Sequence, residues 1–198
     1  MKFIIATNNA KKLVELERIL KPLGIEAVSV KDAGVVLGEV EETGTTFLEN
    51  AIIKAKAYRP YTDEVILADD SGLVIDCLGG EPGIYSARYM GRYTSYAEKN
   101  LNLIERVGDR EGSERSARFT CAIAASFPDG RILTANEHME GQIAYKPAGC
   151  GGFGYDPIFF LPEYGCTSAE LTAEQKNSIS HRGKALRKMC EILVNEKL

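Results

Sequence analysis

The 198-residue sequence has few of the residues that build zinc sites or disulfide frameworks. Its five cysteines include no Cys-x-x-Cys pair, and only two histidines, His138 and His181, could join them at a metal. An odd number of cysteines without such pairs is typical of a reduced protein. We therefore expect a cytoplasmic location and no structural zinc.

Long apolar runs and an excess of positive charge are also absent. No stretch approaches the length of a membrane span, and the apolar run near the N-terminus is too short for a signal peptide. Lys and Arg number 24 against 28 Asp and Glu, a net charge of -4, so no overall positive field exists to attract polymeric nucleic acid. We expect neither a membrane nor a nucleic acid as partner, and local groups must bind any nucleotide.

Strand and helix patterns alternate in the first part of the chain. Residues 3–6 predict a buried strand, and leucines at helical spacing predict a helix that closes at Gly24. Thr46 and Glu49 form a capping box that predicts a helix over residues 47–58. A strand, a loop and then a helix are typical of an α/β protein.

A hairpin and a C-terminal helix dominate the second part. Two long predicted strands meet at the turn Pro128-Asp129-Gly130, and a helix is predicted from Ser180 to Leu198. The early alternation combined with this hairpin favours a mixed sheet. With 44% hydrophobic residues, residues 1–198 can form a single domain with a substantial core.

Two adjacent carboxylates, Asp69 and Asp70, follow the apolar run Val65-Ile66-Leu67-Ala68. We expect the strand to end here. Desolvated carboxylates are unfavourable unless a cation or hydrogen bonds compensate them, which indicates a divalent metal or a set of amide donors. An Asx-type turn shaped by Ser71 and Gly72 explains the same residues, and this segment alone supports both interpretations.

The connection between the first strand and the first helix is rich in potential anion ligands. It comprises Thr7, Asn8, Asn9, Ala10, Lys11 and Lys12. Amides at the helix start, two Asn side chains and two Lys ammonium groups could converge on a phosphate. Capping of the helix by Asn9 accounts for one asparagine but not for the other residues, so we favour a phosphate-binding loop.

Glu41 and Glu42 precede the second predicted helix and could reach the same sheet edge as Asp70. Metal sites often draw acids from separate loops. Acidic surface loops are common, however, and Glu39 indicates that this segment is simply acid-rich. Lys54 on the following helix carries the same ambiguity.

Residues 149–154 match the pattern Gly-x-Gly-x-x-Gly, but Pro157 biases Asp156 towards an extended conformation and no helix can begin there. We therefore reject a dinucleotide fingerprint. Phe153 could instead stack on a planar base, with Asp156 accepting hydrogen bonds from its ring nitrogens. A glycine-rich bend with Phe153 buried in the core is the alternative.

Three possible donors, Lys176, His181 and Arg182, lie around the start of the last helix. They suit a carbonyl-rich or phosphorylated ligand. Alternatively, Ser180 caps the helix and the basic residues are solvated.

Taken together, these segments resemble the inosine/xanthosine triphosphate pyrophosphatase family over nearly the whole chain. Several motifs in the same order carry the resemblance: Thr7–Lys12, Glu41–Ala51, Ala68–Leu73, Gly79–Tyr89, Ala117–Phe119, Gly151–Phe159 and Ser180–Arg182.

The resemblance implies hydrolysis of ITP, dITP and XTP to the nucleoside monophosphate and pyrophosphate, with Mg²⁺ as cofactor. It also implies an α/β fold with an elongated mixed central sheet flanked by helices. Two lobes with an active-site cleft between them, and a homodimer, complete the implied architecture.

The family's functional residues map onto this sequence position by position. Asp70 resembles the general base, and Glu41 with Asp70 resembles the Mg²⁺-binding pair. The implied substrate contacts are Thr7, Asn8, Asn9, Ala10, Lys11, Lys12, Ser71, Phe153, Gly154, Tyr155, Asp156, Lys176, His181 and Arg182.

Two other classes of function compete with this one. A phosphatase with an aspartyl nucleophile needs an Asp-x-Asp pair near the N-terminus, whereas the acids at positions 69 and 70 are adjacent. A nucleotide-sensing module would keep the phosphate loop without the chemistry, and an Asp70→Asn variant distinguishes it from an enzyme.

Overall fold

The structure is a computed structural model that describes residues 2–7, 9–35, 37–38 and 40–195. The strands are β1 (Lys2–Ile5), β2 (Glu26–Ser29), β3 (Val65–Ile75), β4 (Ser116–Ser126), β5 (Ile132–Ile143), β6 (Phe159–Leu161) and β7 (Cys166–Thr167). The α-helices are α1 (Ala10–Leu20), α2 (Phe47–Tyr58), α3 (Tyr96–Val107), α4 (Ala173–Ile179) and α5 (His181–Asn195).

In the described part of the chain, the strands form one seven-stranded sheet in the order β2-β1-β3-β4-β5-β6-β7. β1 pairs in parallel with both β2 and β3, whereas β6 pairs antiparallel with β5 and β7. This combination confirms the prediction of an α/β fold with a mixed sheet.

The described residues divide into two compact units. The first contains the described residues up to Ser71, then Cys121–Glu137 and the chain from His181 onwards. The second contains Gly72–Thr120 and His138–Ser180. The elongated outline and the cleft between two lobes stay predictions.

In the first unit, helices pack on both faces of the sheet. Phe3, Ile5 and Leu67 belong to a cluster with buried residues of α1 and α5. Ile4 and Ile66 belong to another cluster with buried residues of α2. Successive strand residues point to opposite faces, so odd-numbered positions of β1 and β3 face α1 and α5 and even-numbered positions face α2.

Local signals positioned the helices of the first unit correctly. The predicted capping box is present, because Thr46 Oγ1 accepts from the Glu49 amide at 3.1 Å and Glu49 Oε2 accepts from the Thr46 amide at 3.2 Å. The predicted C-terminal helix is confirmed over α5, and its last predicted residues, 196–198, lie outside the described part of the chain.

The second unit has a single core between α3 and the strands, and its buried residues include Leu73, Leu103, Phe119 and Phe159. The sequence did not predict α4. This helix has seven mostly polar residues and no apolar stripe, so hydrophobic periodicity could not reveal it. Its start is fixed by a capping box between Thr172 and Gln175.

The prediction that the strand ends at Asp69 and Asp70 is wrong. β3 continues without interruption through Ser71 and Gly72 to Ile75. The strand tolerates both buried carboxylates because protein side chains supply the compensating charges and donors, as described below.

Among the described helices, none is both long enough and apolar enough to cross a membrane.

Candidate active site

Asp69 and Asp70 are neighbours in the sequence but face different helices. Because both lie within β3, their side chains leave the sheet on opposite sides. Asp69 contacts Lys12 on α1 and Arg182 on α5, whereas Asp70 contacts Asn50 and Lys54 on α2. The two acids therefore occupy different environments and have different chemistry.

The carboxylate of Asp69 is held by two cations. Lys12 Nζ donates to Asp69 Oδ2 at 2.9 Å, and Arg182 Nε lies 3.5 Å from the same oxygen. Burial alone would raise the pKa of Asp69, but the charges of Lys12 and Arg182 outweigh it and hold the pKa well below the usual range. Asp69 is therefore ionised, stabilised as an anion, and poorly suited to accept a proton.

Arg182 has further partners besides Asp69. Its guanidinium forms an ion pair with Glu15 and donates through Nη2 to Ser71 Oγ at 3.0 Å. Burial opposes the charge, but Asp69 and Glu15 overcome this effect and raise the pKa of Arg182 above its usual value. The structure thus brings two predicted substrate contacts, Ser71 and Arg182, together beside Asp69.

Asp70 is the more basic of the two acids. Lys54 Nζ lies 3.3 Å from its Oδ1, and Asn50 Nδ2 donates to its Oδ2 at 3.2 Å. Burial raises the pKa of Asp70, and attraction by Lys54 and Lys12 does not fully offset it. A carboxylate with a raised pKa is a better general base near neutral pH.

The acidic segment before α2, residues 41–45, is linked to Asp70 through Glu42 and Lys54. Lys54 Nζ lies 3.0 Å from Glu42 Oε1 as well as near Asp70, so one ammonium group bridges both carboxylates. Burial opposes the charge of Lys54, but the surrounding acids raise its pKa. Exposure alternates along residues 41–44. Glu41, the predicted metal ligand, is therefore exposed, whereas Glu42 is partly buried on the inner side.

Glu42 and Asp70 have the chemistry expected for Mg²⁺. This ion prefers one or two carboxylates, with water and substrate phosphates as the remaining ligands. The shared contact with the Lys54 ammonium demonstrates that both carboxylates can neutralise one cation. Among the described residues, no group of three or more His, Cys, Asp or Glu side chains is arranged to hold a metal ion.

Part of the predicted phosphate loop has a capping role. Asn9 Oδ1 accepts from the backbone amides of Lys11 and Lys12 at 3.0 and 3.2 Å, and Thr7 Oγ1 accepts from the Asn9 amide at 3.2 Å. The capping interpretation of Asn9 is therefore confirmed. Asn8, another predicted contact, lies outside the described residues.

In the second unit, Asp156 organises the glycine-rich loop. Its Oδ2 accepts from the Phe153 amide at 2.7 Å and from Lys176 Nζ at 2.8 Å, while its Oδ1 accepts from Ser168 Oγ at 2.7 Å. The side chain is buried. Asp156 thus contacts three protein donors, and hydrogen bonds from the ring nitrogens of a base, one of the two interpretations of the sequence, stay a prediction.

The two aromatic residues of this loop differ in their surroundings. Phe153 is only half-buried, and Lys176 Nζ lies 5.1 Å from the centre of its ring. Tyr155 is buried in the core, and its hydroxyl donates to the Ser86 carbonyl at 2.6 Å. A stacking role fits Phe153, whereas the side chain of Tyr155 packs in the core and its substrate contact stays a prediction.

The expected group of three donors is divided between the units. Lys176 belongs to the second unit with Asp156, whereas His181 and Arg182 belong to the first. His181 is buried at the start of α5. The rejection of a dinucleotide fingerprint is confirmed, because a three-residue 3₁₀ turn and then β6 follow the glycines, with no α-helix.

Sequence reasoning missed Asn50 and Glu15 and gave no role to Lys54. Asn50 and Lys54 are four residues apart on α2, so they share one helix face, and both are directed towards Asp70. A polar side chain on the inward face of a capped helix was the available signal. Glu15 left none, because an acidic residue on α1 is equally compatible with solvent.

Comparison with known proteins agrees with the fold and extends over nearly the whole chain. A model of the Ham1 family matches residues 3–192. A dITP/XTP pyrophosphatase of Desulforamulus reducens is 50% identical over 193 residues, covering 98% of this chain and 96% of that protein. A dITP/XTP pyrophosphatase of Bacillus subtilis is 46% identical over 190 residues, covering 96% of each.

Two solved structures are also similar to this chain over nearly its whole length. A HAM1 protein from Coxiella burnetii has a TM-score of 0.87 at 40% identity, covering 98% of this chain and 99% of that one. The Ham1 protein of Staphylococcus aureus has a TM-score of 0.86 at 38% identity, covering 99% of this chain and 100% of that one.

Proposed function

Because this chain belongs to the Ham1 family, we propose that it hydrolyses ITP, dITP and XTP to the nucleoside monophosphate and pyrophosphate. The names of relatives that share about half of its residues support this substrate class. The observation that carries the proposal is the pair of acids on β3 that face different helices: Lys12 and Arg182 hold Asp69, whereas Asp70 lies beside Asn50 and shares Lys54 with Glu42.

Asp70 is proposed to take a proton from the water that attacks the α phosphorus. The bond from the α phosphorus to the bridging oxygen then breaks, and pyrophosphate leaves. Lys12 carries positive charge at the start of α1, where helix amides also favour an anion. It is proposed to bind the departing phosphates, together with the predicted loop residues Thr7, Asn8, Asn9, Ala10 and Lys11.

We propose Mg²⁺ as the cofactor, held by Asp70 and by Glu42 in place of the predicted Glu41. The ion would supply charge neutralisation at the phosphates. This assignment rests on the bridging contact of Lys54 with both carboxylates, at 3.3 and 3.0 Å.

Recognition of the base is proposed for the loop Phe153–Asp156 with Lys176. Phe153 is exposed enough to stack, and Lys176 can donate to the 6-keto oxygen of hypoxanthine or xanthine. Adenine carries an amino group at this position and would leave the donor unpaired, at about 1–3 kcal/mol. Gly154, with a φ of +68°, gives the loop its turn, while His181 and Arg182 stay proposed substrate contacts of the first unit.

The remaining family features are proposed as well: one nucleotide pyrophosphatase domain, a homodimer and a cytoplasmic location. Size-exclusion chromatography with light scattering tests the dimer, and a measured mass of one chain refutes it.

Steady-state release of pyrophosphate from ITP and ATP tests the activity. We expect ITP to be hydrolysed with a much higher kcat/KM, pyrophosphate rather than phosphate to be released, and chelation to stop the reaction. Equal turnover of ITP and ATP refutes the specificity, and activity after complete chelation refutes the metal assignment. Binding of ITP without any hydrolysis would favour a nucleotide-sensing module.

A further inference from the structure

Asn50 is a fully buried side chain that connects the acidic segment to Asp70. Its exposure is 0%, and both ends of its amide are hydrogen-bonded. Oδ1 accepts from the backbone amide of Gly44 at 2.9 Å, and Nδ2 donates to Asp70 Oδ2 at 3.2 Å. Asparagine satisfies both partners because it carries a donor and an acceptor on one planar group.

Lys54 makes the equivalent connection one helical turn later. Its ammonium contacts the carboxylates of Asp70 and Glu42. The two side chains of α2 therefore join β3 to the acidic segment. Asn50 contacts the backbone of Gly44, and Lys54 contacts the side chain of Glu42. Of the two, only Asn50 is neutral, so its contribution is geometric rather than one of charge.

The acidic segment approaches Asn50 too closely for any residue but glycine. A Cβ atom at position 44 would lie 2.7 Å from Asn50 Oδ1 and 2.7 Å from the Cβ of Glu49. Directly after Gly44, the amide and hydroxyl of Thr45 donate to Glu49 Oε2 at 2.7 and 2.8 Å. The segment is thus fixed to the start of α2 by several hydrogen bonds, and Asn50 extends this attachment to Asp70.

We propose that Asn50 is a positioning residue that holds the carboxylates of Asp70 and Glu42 in the arrangement that binds Mg²⁺. The inference rests on the proposed function, in which these two acids bind the ion. Neighbours that orient metal ligands typically change metal affinity or activity by 10–100-fold when they are replaced.

The test compares Asn50→Ala with the wild type and with a matched control, Asn102→Ala. Asn102 is an asparagine of α3 whose Oδ1 accepts from the Tyr89 hydroxyl at 2.8 Å, outside the proposed machinery. Calorimetric titration with MgCl₂ in the absence of nucleotide measures the affinity for the ion. Steady-state ITP hydrolysis at saturating Mg²⁺ separates kcat from KM, and thermal melting verifies the fold.

For Asn50→Ala we expect the Kd for Mg²⁺ to rise about 10–100-fold and kcat to fall by a similar factor, while KM for ITP changes less than about threefold. For the control, the Kd for Mg²⁺, kcat and the KM for ITP should all match those of the wild type. A folded Asn50→Ala protein with Mg²⁺ affinity and kcat within about twofold of the wild type overturns the proposal.

Asn50→Ser decides the case in which Asn50→Ala does not fold. Serine adds no charge and keeps a polar group in the buried site, but its side chain is too short to bridge Gly44 and Asp70, so the variant should fold and lose kcat. If it also fails to fold, Asn50 is a structural residue and the proposal is wrong. A wild-type protein without ITP hydrolysis refutes the proposed function instead, and the Mg²⁺ titration of the variants still tests the role of Asn50.

Discussion

Replacing Asp69 and Asp70 separately by asparagine should change stability very differently, although the residues are adjacent and the substitution is the same. Asp69 is stabilised as an anion, whereas the surroundings of Asp70 favour its neutral form. Asp69→Asn therefore removes a favourable charge, and Asp70→Asn removes an unfavourable one.

The distances give the magnitude. At 2.9 Å from Lys12, the attraction on Asp69 is about 6 kcal/mol for an effective dielectric constant of about 20. Desolvation of the carboxylate offsets part of this, and removal of one partner of a buried ion pair typically costs about 3–5 kcal/mol. We expect Asp69→Asn to lower the free energy of unfolding by about 3 kcal/mol, the low end of this range, because Lys12 is partly exposed and regains contact with solvent. This corresponds to a drop in Tm of about 6–12 °C.

Asp70→Asn should stay within about 1 kcal/mol of the wild type, because an amide keeps an acceptor for Asn50 and no longer desolvates a charge. Its hydrolysis of ITP should be abolished. Urea unfolding in metal-free buffer at pH 7, followed by circular dichroism, measures both free energies of unfolding.

The pH dependence provides a second measurement. The folded-state pKa of Asp69 is lowered, so its stabilisation is complete above the unfolded pKa of about 4 and is lost as pH falls below it. The difference between Asp69→Asn and the wild type should therefore shrink between about pH 5 and pH 2. The folded-state pKa of Asp70 is raised, so any advantage of Asp70→Asn grows as pH rises through that pKa. Equal destabilisation by both substitutions at pH 7 would refute the assignment of opposite environments.

Three further predictions concern the substrate. Lys12→Ala should raise KM for ITP about tenfold or more. If the variant weakened only the binding of IMP, the proposed role of Lys12 at the departing phosphates would be contradicted. Lys176→Met should lower the preference for ITP over ATP in kcat/KM about tenfold, whereas an equal loss for both nucleotides would exclude base recognition. Gly152→Ala places a Cβ atom against Asp156 at a φ of +67° and should raise KM for ITP, while Gly165→Ala has a similar φ of +63° without a neighbour and should leave KM unchanged.

Sequence by itself determined the elements with strong local signals. The capping box of Thr46 and Glu49 fixed the start of α2, and the bounds of that helix agree with the prediction. The combination of early strand and helix with a later hairpin indicated the mixed sheet. These features depend on residues that are close in the chain, so periodicity and capping chemistry were sufficient.

Only tertiary structure decided how the charges are arranged. Lys12, Lys54 and Arg182 come from three helices, and their contacts allow β3 to continue through two carboxylates where local rules predicted a turn. The alternation of strand residues then separates Asp69 from Asp70, an assignment that depends on which helix covers each face. Pairings of this kind join residues far apart in the chain, so no local pattern could assign the two acids their different protonation chemistry.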